Sequence, residues 1–422
     1  MARYAHHNSA ISNRNRVLGL DVARAVAVTG MVMVHLVEPV HPVAHEPWIV
    51  TAILSSPHGR ALMLFLAVSG ATVSVISRSS QRPLCEQRSW LLTRGLILFV
   101  IGAIVRAFFP SEVLTAYLGY MVIAALCVTL SRRWLLVLGM AMVVVGPTAI
   151  WFAEALWPAM RSPELAGHSV FSWSWVTETL AFGPYALVRG AGVFTIGMGL
   201  GRGPLRDVGS LGRILAVAAC IGAVTLVGQE LLESRPYDGV DFADVAAAAQ
   251  VGRGSGPVPD HVVIETVTPT AQLSVAGHSG TIGSVIFGSA IAVCILCALL
   301  IISDRASRLV RWIQPLGRIA LTTYVVQAVW VGLVPDEWRA MPTLGVFEIA
   351  AFIAVMNLFG MLWGQRFGIG PIETMTKAFS DLTSPVLAHL TCRGCLRDRT
   401  GQISQDSGRS ARPRGVAVAS EN

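Results

Sequence analysis

Lysine is almost absent from this 422-residue chain: Lys377 is the only one, and every other basic side chain is arginine. Charge of either sign is scarce, at 14% Asp, Glu, Lys and Arg, where a soluble domain carries about a quarter. That scarcity excludes a domain kept in water by its surface. The 53% of hydrophobic residues excludes a chain that is disordered throughout. A disulfide framework is missing too. Of the seven cysteines, Cys127, Cys220, Cys294 and Cys297 lie in apolar runs, where Cys acts as a small hydrophobe. Cys392 and Cys395 make one CxxC, which is half of a tetrahedral zinc site. The first apolar run is followed by no small-residue cleavage site, so no cleavable signal peptide is expected. No internal repeat is visible, and with it goes the inverted-repeat sign of many transporters.

What the chain does hold is long apolar runs. "LILFVIGAIVRAFF", "WLLVLGMAMVVVGPTAIWF" and "GSVIFGSAIAVCILCALLII" are examples, and a membrane-crossing helix needs about 20 such residues. The expected fold is all-α: a polytopic integral membrane bundle. Ten spans are predicted, at 17–38, 60–77, 90–109, 113–131, 134–152, 181–201, 211–229, 280–302, 316–334 and 343–363. They form one domain over 17–380. A short N-terminal segment (1–16) precedes it and a basic tail (381–422), read as disordered from its Arg, Ser and Gly content, follows. Two long outer segments, about 153–180 and 230–279, interrupt the spans. The second contains the alternating stretch "HVVIETVTPTAQLSV", read as a small hairpin.

Arginine sets the orientation. Arg14, Arg16, Arg78, Arg82, Arg88, Arg132, Arg133, Arg202, Arg206, Arg305, Arg308 and Arg311 fall on one side. Glu38, Glu46, Glu112, Glu154, Glu230, Asp238, Asp336 and Glu337 fall on the other. The alternation puts both termini in the cytoplasm. The net charge of +7 thus follows membrane topology, and nucleic acid is not an expected partner; the lipid bilayer is.

Ionisable residues inside the first run are the strongest functional sign, because such groups are costly in hydrocarbon. In "LDVARAVAVTGMVMVH", Arg24 and His35 are eleven residues apart, so they share one helix face about 16 Å apart. Asp21 lies one turn before Arg24 on nearly the same face. With the N-terminus inside, Arg24 points toward the cytoplasm and His35 toward the outer side. The stripe should face the bundle interior. The plainer reading of Asp21 and Arg24 is a boundary ion pair with Arg24 snorkelling inward.

The residues "RVLGLDVARAVAVTGMVMVH" resemble the start of membrane-bound acyltransferases. In the acyltransferase-3 group an Arg on the first helix is followed, after ten intervening residues, by a His, which Arg24 and His35 match. The heparan-alpha-glucosaminide N-acetyltransferase group opens with a similar "LDxxRG", with Ala25 here at the Gly position. That group carries its catalytic His in an "HxPW" stretch; "HEPW" offers His45. Farther on, "GRIALTTYVVQ" (317–327), "RFGIGPIE" (366–373) and "HSGT" (278–281) are similar to the signature blocks of the YeiB-like bacterial membrane family, whose C-terminal domain has no assigned activity.

The resemblance implies acyl transfer, with acyl-CoA as the cytoplasmic donor and a glycan or envelope lipid as the extracytoplasmic acceptor, in a bacterial plasma membrane. His35 would be the general base, since imidazole titrates near neutrality. Arg24 would orient the donor or offset developing negative charge. His45 and His278 are reserve catalytic candidates. Arg94 and Arg318, near inner helix ends, could contact CoA phosphates, although inward anchoring under the positive-inside rule is the plainer and preferred explanation for each. Arg189 sits toward the outer half, where that rule gives no reason for it; with Asp21 it is a candidate substrate contact lining the cavity. No metal is predicted: Pro39, Pro42 and Pro47 break any i,i+4 ligand face in "HLVEPVHPVAHEPW". "GMGLGRG" ends a span and follows no strand, so it is not a nucleotide loop. The rival reading is a transporter or flippase-like protein in which the buried Asp, Arg and His carry protons.

Overall fold

The computed structural model describes residues 17–36, 57–109, 112–156, 175–176, 179–180, 187–233, 269–277, 279–303, 305, 307–333 and 342–391. Twelve α-helices of eleven residues or more lie among them. They are α1 (Leu18–Leu36), α2 (Arg60–Ser79), α3 (Leu84–Val105), α4 (Tyr117–Cys127), α5 (Arg132–Leu156), α6 (Leu187–Gly201), α7 (Val208–Glu233), α8 (Ile282–Ser303), α9 (Ser307–Arg318), α10 (Ala320–Leu333), α11 (Pro342–Phe367) and α12 (Pro371–Thr391).

Seven helices, namely α1, α2, α3, α5, α7, α8 and α11, are long and apolar enough to cross a membrane. The pair α9–α10, bent by 68°, would make an eighth. The protein is a multi-pass membrane helix bundle. Ten crossings were expected, and the two not matched in length are α4, with 11 residues, and α6, with 15. α4 is shorter than the roughly 20 residues that a helix along the membrane normal needs, and residues 181–186, the start of the span expected over α6, lie outside the described residues.

Lipid exposure explains where the apolar surface goes. α7 and α11 bury only 17% of their spanning windows. Side chains such as Val224 and Phe347 stand outward on them, a surface that water would not tolerate on this scale. Between helices in lipid there is little hydrophobic drive, so close van der Waals contact has to hold them. α6 supplies it with glycine on two faces. Gly197 and Gly201 lie on the backbones of Ala67 and Ala71 in α2, while Gly192 lies on Val143 and Gly199 on Leu136 in α5. A Cβ at any of these would overlap its neighbour. The "GMGLG" glycines are therefore a helix-packing surface.

α1 occupies the centre, against α2, α8, α9, α10 and α11. Its small residues admit them: Gly19 meets the Leu300 backbone and Gly30 meets Ala61. Ala23, Ala25, Ala27 and Val28 are fully buried. Proline and glycine place several ends: Pro83 precedes α3, Pro371 opens α12, and Gly368, with φ 81°, lies just past the end of α11.

Two expectations change. The tail expected from 381 begins inside α12, a helix the sequence reading did not mark. α12 packs along α3 and buries Thr376, Ser380 and Ser384, so its inward face is polar and escapes a search for apolar runs. Of the expected hairpin, the described part (269–275) forms a 3₁₀ turn at Ala271–Leu273 and an irregular stretch. His45, His278, the CxxC, residues 1–16 and most of both outer segments lie outside the described residues.

Candidate functional site

Asp21 is buried, at 1% exposure. A carboxylate so placed needs a partner on each oxygen. The Arg24 guanidinium donates to Asp21 Oδ1 at 2.7 Å, and the Gln314 side-chain amide donates to Oδ2 at 3.3 Å. Arg24 also donates through Nη2 to Thr72 Oγ1 at 2.6 Å, and Thr72 passes its own proton to the Val68 carbonyl at 2.7 Å. One turn of α1 is thus tied to α2 and α9. Gly317 permits the approach of α9, since a Cβ there would run into the Asp21 carbonyl. With two of its nitrogens engaged, Arg24 is held in position, and its side chain keeps 23% exposure.

Close to this cluster the chain bends. α10 begins with amides lacking helical partners, and Glu373 of α12 accepts them. Its Oε1 takes the Leu321 N–H at 2.7 Å and the Thr322 N–H at 3.2 Å, and its Oε2 takes the Thr322 hydroxyl at 2.5 Å. A carboxylate at a helix N-terminus is also favoured by the dipole. The Gly370 N–H donates to the Arg318 carbonyl at 3.2 Å. The two blocks "GRIALTTYVVQ" and "RFGIGPIE" are therefore the two halves of one joint.

Arg94 lies at the same end, within electrostatic reach of Arg24, Glu373 and Asp381. Its guanidinium stands 5.4 Å from the Trp90 ring centre, and that of Arg82 stands 5.3 Å from the same ring. Asp381 fixes the group, accepting from Arg82 at 2.7 Å and from the Trp90 indole at 2.9 Å. Arg24, Arg94 and Arg318 thus gather from α1, α3 and α9 at one end of the bundle.

The opposite end holds His35. Its Nδ1 lies 2.5 Å from the side-chain nitrogen of Gln327, which also donates to the Met31 carbonyl at 3.3 Å. Phe109 packs at 4.7 Å between ring centres. Gln327 is fully buried. With its nitrogen toward the ring, Nδ1 holds the lone pair and Nε2 the proton. Turned over, the amide would present Oε1 to an Nδ1–H and leave the lone pair on Nε2. Gln327 therefore governs which ring nitrogen is basic.

Arg189 is at this same end, in a cleft with Arg60, apart from the Asp21–Arg24 cluster. Sequence reasoning missed Gln314, Gln327, Thr72, Glu373 and Arg60. Gln327 could have been found, since an amide in an apolar run is a polar group requiring a partner; Gln314 lies in the arginine-rich stretch before the expected span.

The contacts of the α1 stripe join two parts of the chain: Thr72 comes from the first half, Gln314 and Gln327 from the last third. Residues 16–232, just over half of the chain, match the heparan-alpha-glucosaminide N-acetyltransferase catalytic family. The chain belongs to this family. It is therefore a member of a membrane acetyltransferase family, and Asp21, Arg24, His35 and Thr72 lie inside the catalytic-domain match. Residues 263–383 match a second family, a protein of unknown function (DUF418). That segment supplies Gln314 and Gln327 to the N-acetyltransferase-like part, while Glu373 ties the segment to itself. A comparison with curated proteins finds no match. Among the described residues no group of three or more His, Cys, Asp or Glu side chains is arranged to hold a metal ion.

Proposed function

We propose that this protein moves an acyl group, acetyl being the simplest, from cytoplasmic acyl-CoA to a hydroxyl or amine of an extracytoplasmic glycan or envelope lipid. The membrane is a bacterial plasma membrane. The observation that carries the reading is the α1 stripe, inside the matched catalytic domain, with a held arginine at one end and an amide-partnered histidine at the other.

His35 is the general base. The acceptor O–H or N–H gives its proton to Nε2 as its oxygen or nitrogen bonds to the thioester carbonyl carbon. The C–S bond then breaks, and the CoA thiolate leaves and takes up the proton. For Nε2 to accept, Nδ1 must carry the ring proton and donate it to Gln327 Oε1, which requires the Gln327 amide to turn over and give up its bond to the Met31 carbonyl; Gln327 is a positioning residue for this step. Arg24, Arg94 and Arg318 hold donor phosphates as fixed positive charges. His45 and His278 are reserve bases, and Asp21 acts through Arg24.

The test supplies labelled acetyl-CoA to the cytoplasmic side of membranes holding the full chain, and follows label into glycans and lipids. Wild type is expected to transfer and His35→Ala to lose transfer at equal protein level. Undiminished transfer by His35→Ala removes His35 from the mechanism. A transporter reading draws on the 68° bend between α9 and α10, since broken helices often line transport sites. Solute flux with no label transfer to any acceptor would favour it.

A further inference from the structure

Six helices close a ring. α1, α2, α6, α4, α3 and α10 pack in that order, each on the next, and α10 returns to α1. The interior of the ring is not filled. On α3, Leu96, Val100 and Ile104 stand outward. Arg94, Ile97 and Ile101 lie on the opposite side of that helix, yet all three are only partly buried. On α2, Ser69 and Thr72 are partly buried, while every residue from Leu64 to Val68 is buried. Arg24 keeps its partial exposure at the centre of the bundle. An open strip therefore runs through the ring, from the inner arginines toward the His35 end.

This strip carries a polar group that the acyl-transfer step leaves unused. The hydroxyls of Ser69 and Tyr117 lie 2.9 Å apart and join α2 to α4. Other helix hydroxyls bond back to the carbonyl four residues earlier, as Thr72 does to Val68 and Thr195 to Ala191. Ser69 turns to Tyr117 instead. Two hydroxyls hold two protons, and the bond between them uses one. The other proton has no acceptor among the described residues, which is costly away from water. The pair is held in place. Tyr117 is buried, with its ring edge-on to Phe65 and Tyr120. Gly70 lies on the Phe194 carbonyl of α6, which fixes the rotation of α2 and with it the direction of Ser69.

We infer that the Ser69–Tyr117 pair receives an amide of the pantetheine arm of the acyl-CoA donor, giving its free proton to the amide carbonyl. This rests on the donor proposed above. From sulfur to phosphorus that arm has about thirteen bonds, the backbone of about four to five extended residues, or about 15 Å. Arg24 and His35 are about 16 Å apart along α1. With its phosphate at the arginine end, the arm brings its thioester to the His35 end. Its inner amide lies about five bonds from phosphorus, or about 6 Å. Ser69 stands three residues outward of Thr72, the partner of Arg24, a rise of about 4.5 Å. The amide and the hydroxyl pair thus fall at nearly one level. Ile97 and Ile101 border the methylene groups beyond it.

The experiment measures binding to the purified full chain in detergent. The ligands are coenzyme A and adenosine 3′,5′-bisphosphate, which has the nucleotide and no arm. Wild type is expected to bind both, coenzyme A more tightly. Ser69→Ala and Tyr117→Phe should each weaken coenzyme A about three- to tenfold, the worth of one hydrogen bond, and leave the bisphosphate unchanged. Ser69→Thr restores the hydroxyl and should recover coenzyme A binding. Arg94→Gln should weaken both ligands. Thr148→Ala, a back-bonded hydroxyl on α5, should weaken neither. Ligand-free melts report folding, and a merely structural loss lowers both ligands alike. Equal losses for the two ligands, or unchanged coenzyme A binding in the folded Ser69→Ala/Tyr117→Phe double variant, overturn the assignment and leave the acyl-CoA reading standing. A wild type that binds no coenzyme A overturns the donor reading, and this inference with it.

Discussion

Gln327 places its side-chain nitrogen 2.5 Å from His35 Nδ1, across 292 positions of sequence. The first helix and the DUF418-like segment thus share one polar pair, and the state of the imidazole depends on a residue from the far end of the chain.

That pair gives the first prediction. If Nδ1 must donate a proton for Nε2 to act as base, the residue at 327 has to offer an acceptor. Gln327→Glu keeps one and should retain most of the transfer rate. Gln327→Leu keeps the bulk and offers none, and should lose about tenfold or more, within the roughly 10²–10⁴ that general base catalysis supplies. Initial rates of label transfer at equal protein level check this, and equal losses in both variants would sink the tautomer argument.

Asp21→Asn should destabilise the bundle strongly. Removing one partner of a buried ion pair costs about 3–5 kcal/mol. The partial exposure of Arg24 moves the expectation to the lower end of that range. Arg24→Gln added to Asp21→Asn should recover part of the loss. Denaturation midpoints of the three variants in one detergent measure it, and purely additive effects would speak against a coupled pair.

Glu373→Ala should loosen the joint between α9 and α10. It leaves the Leu321 and Thr322 amides without their acceptor, a capping loss of about 1–2 kcal/mol. Glu373→Gln retains one acceptor oxygen and should lose less. Hydrogen exchange at the start of α10 should rise in both, more in the Ala variant; protection unchanged in Glu373→Ala would count against the cap.

Glu112 lies between α3 and α4. Burial pushes its carboxyl above the ordinary carboxylate value, while bonds from Thr115 and the charge of Arg106 pull the other way. With the folded value raised, the group adds stability at low pH and loses it as pH rises through that value. Glu112→Gln has no such dependence. Melting temperatures between pH 4 and pH 8 should therefore favour the variant over wild type progressively as pH rises. A constant difference across that range would contradict the assignment.

Much of this was legible in the chain. The apolar runs fix the membrane class, because a helix of that hydropathy has no stable place in water. The Asp21, Arg24 and His35 stripe was legible because helical periodicity alone decides which residues share a face. Arg94 could be named but not placed, since positive residues at inner helix ends serve topology and binding alike. The spans at 113–131 and 181–201 were read as full length from hydropathy. α4 comes out short because turns at 113–116 and 128–129, not apolar length, set its ends, while residues 181–186 of the other expected span lie outside the described residues.

Local pattern, then, determined the membrane bundle, the polar face of α1 and the family resemblance of its two ends. The tertiary structure alone decided the partners: Gln314 on Asp21, Thr72 on Arg24, Gln327 on His35, Glu373 on the start of α10, and Arg60 beside Arg189. The reason is physical. Periodicity along one helix fixes the direction in which a polar group points. Only the crossing of distant helices, permitted at Gly317 and Gly280 by the absence of a side chain, fixes what meets it there.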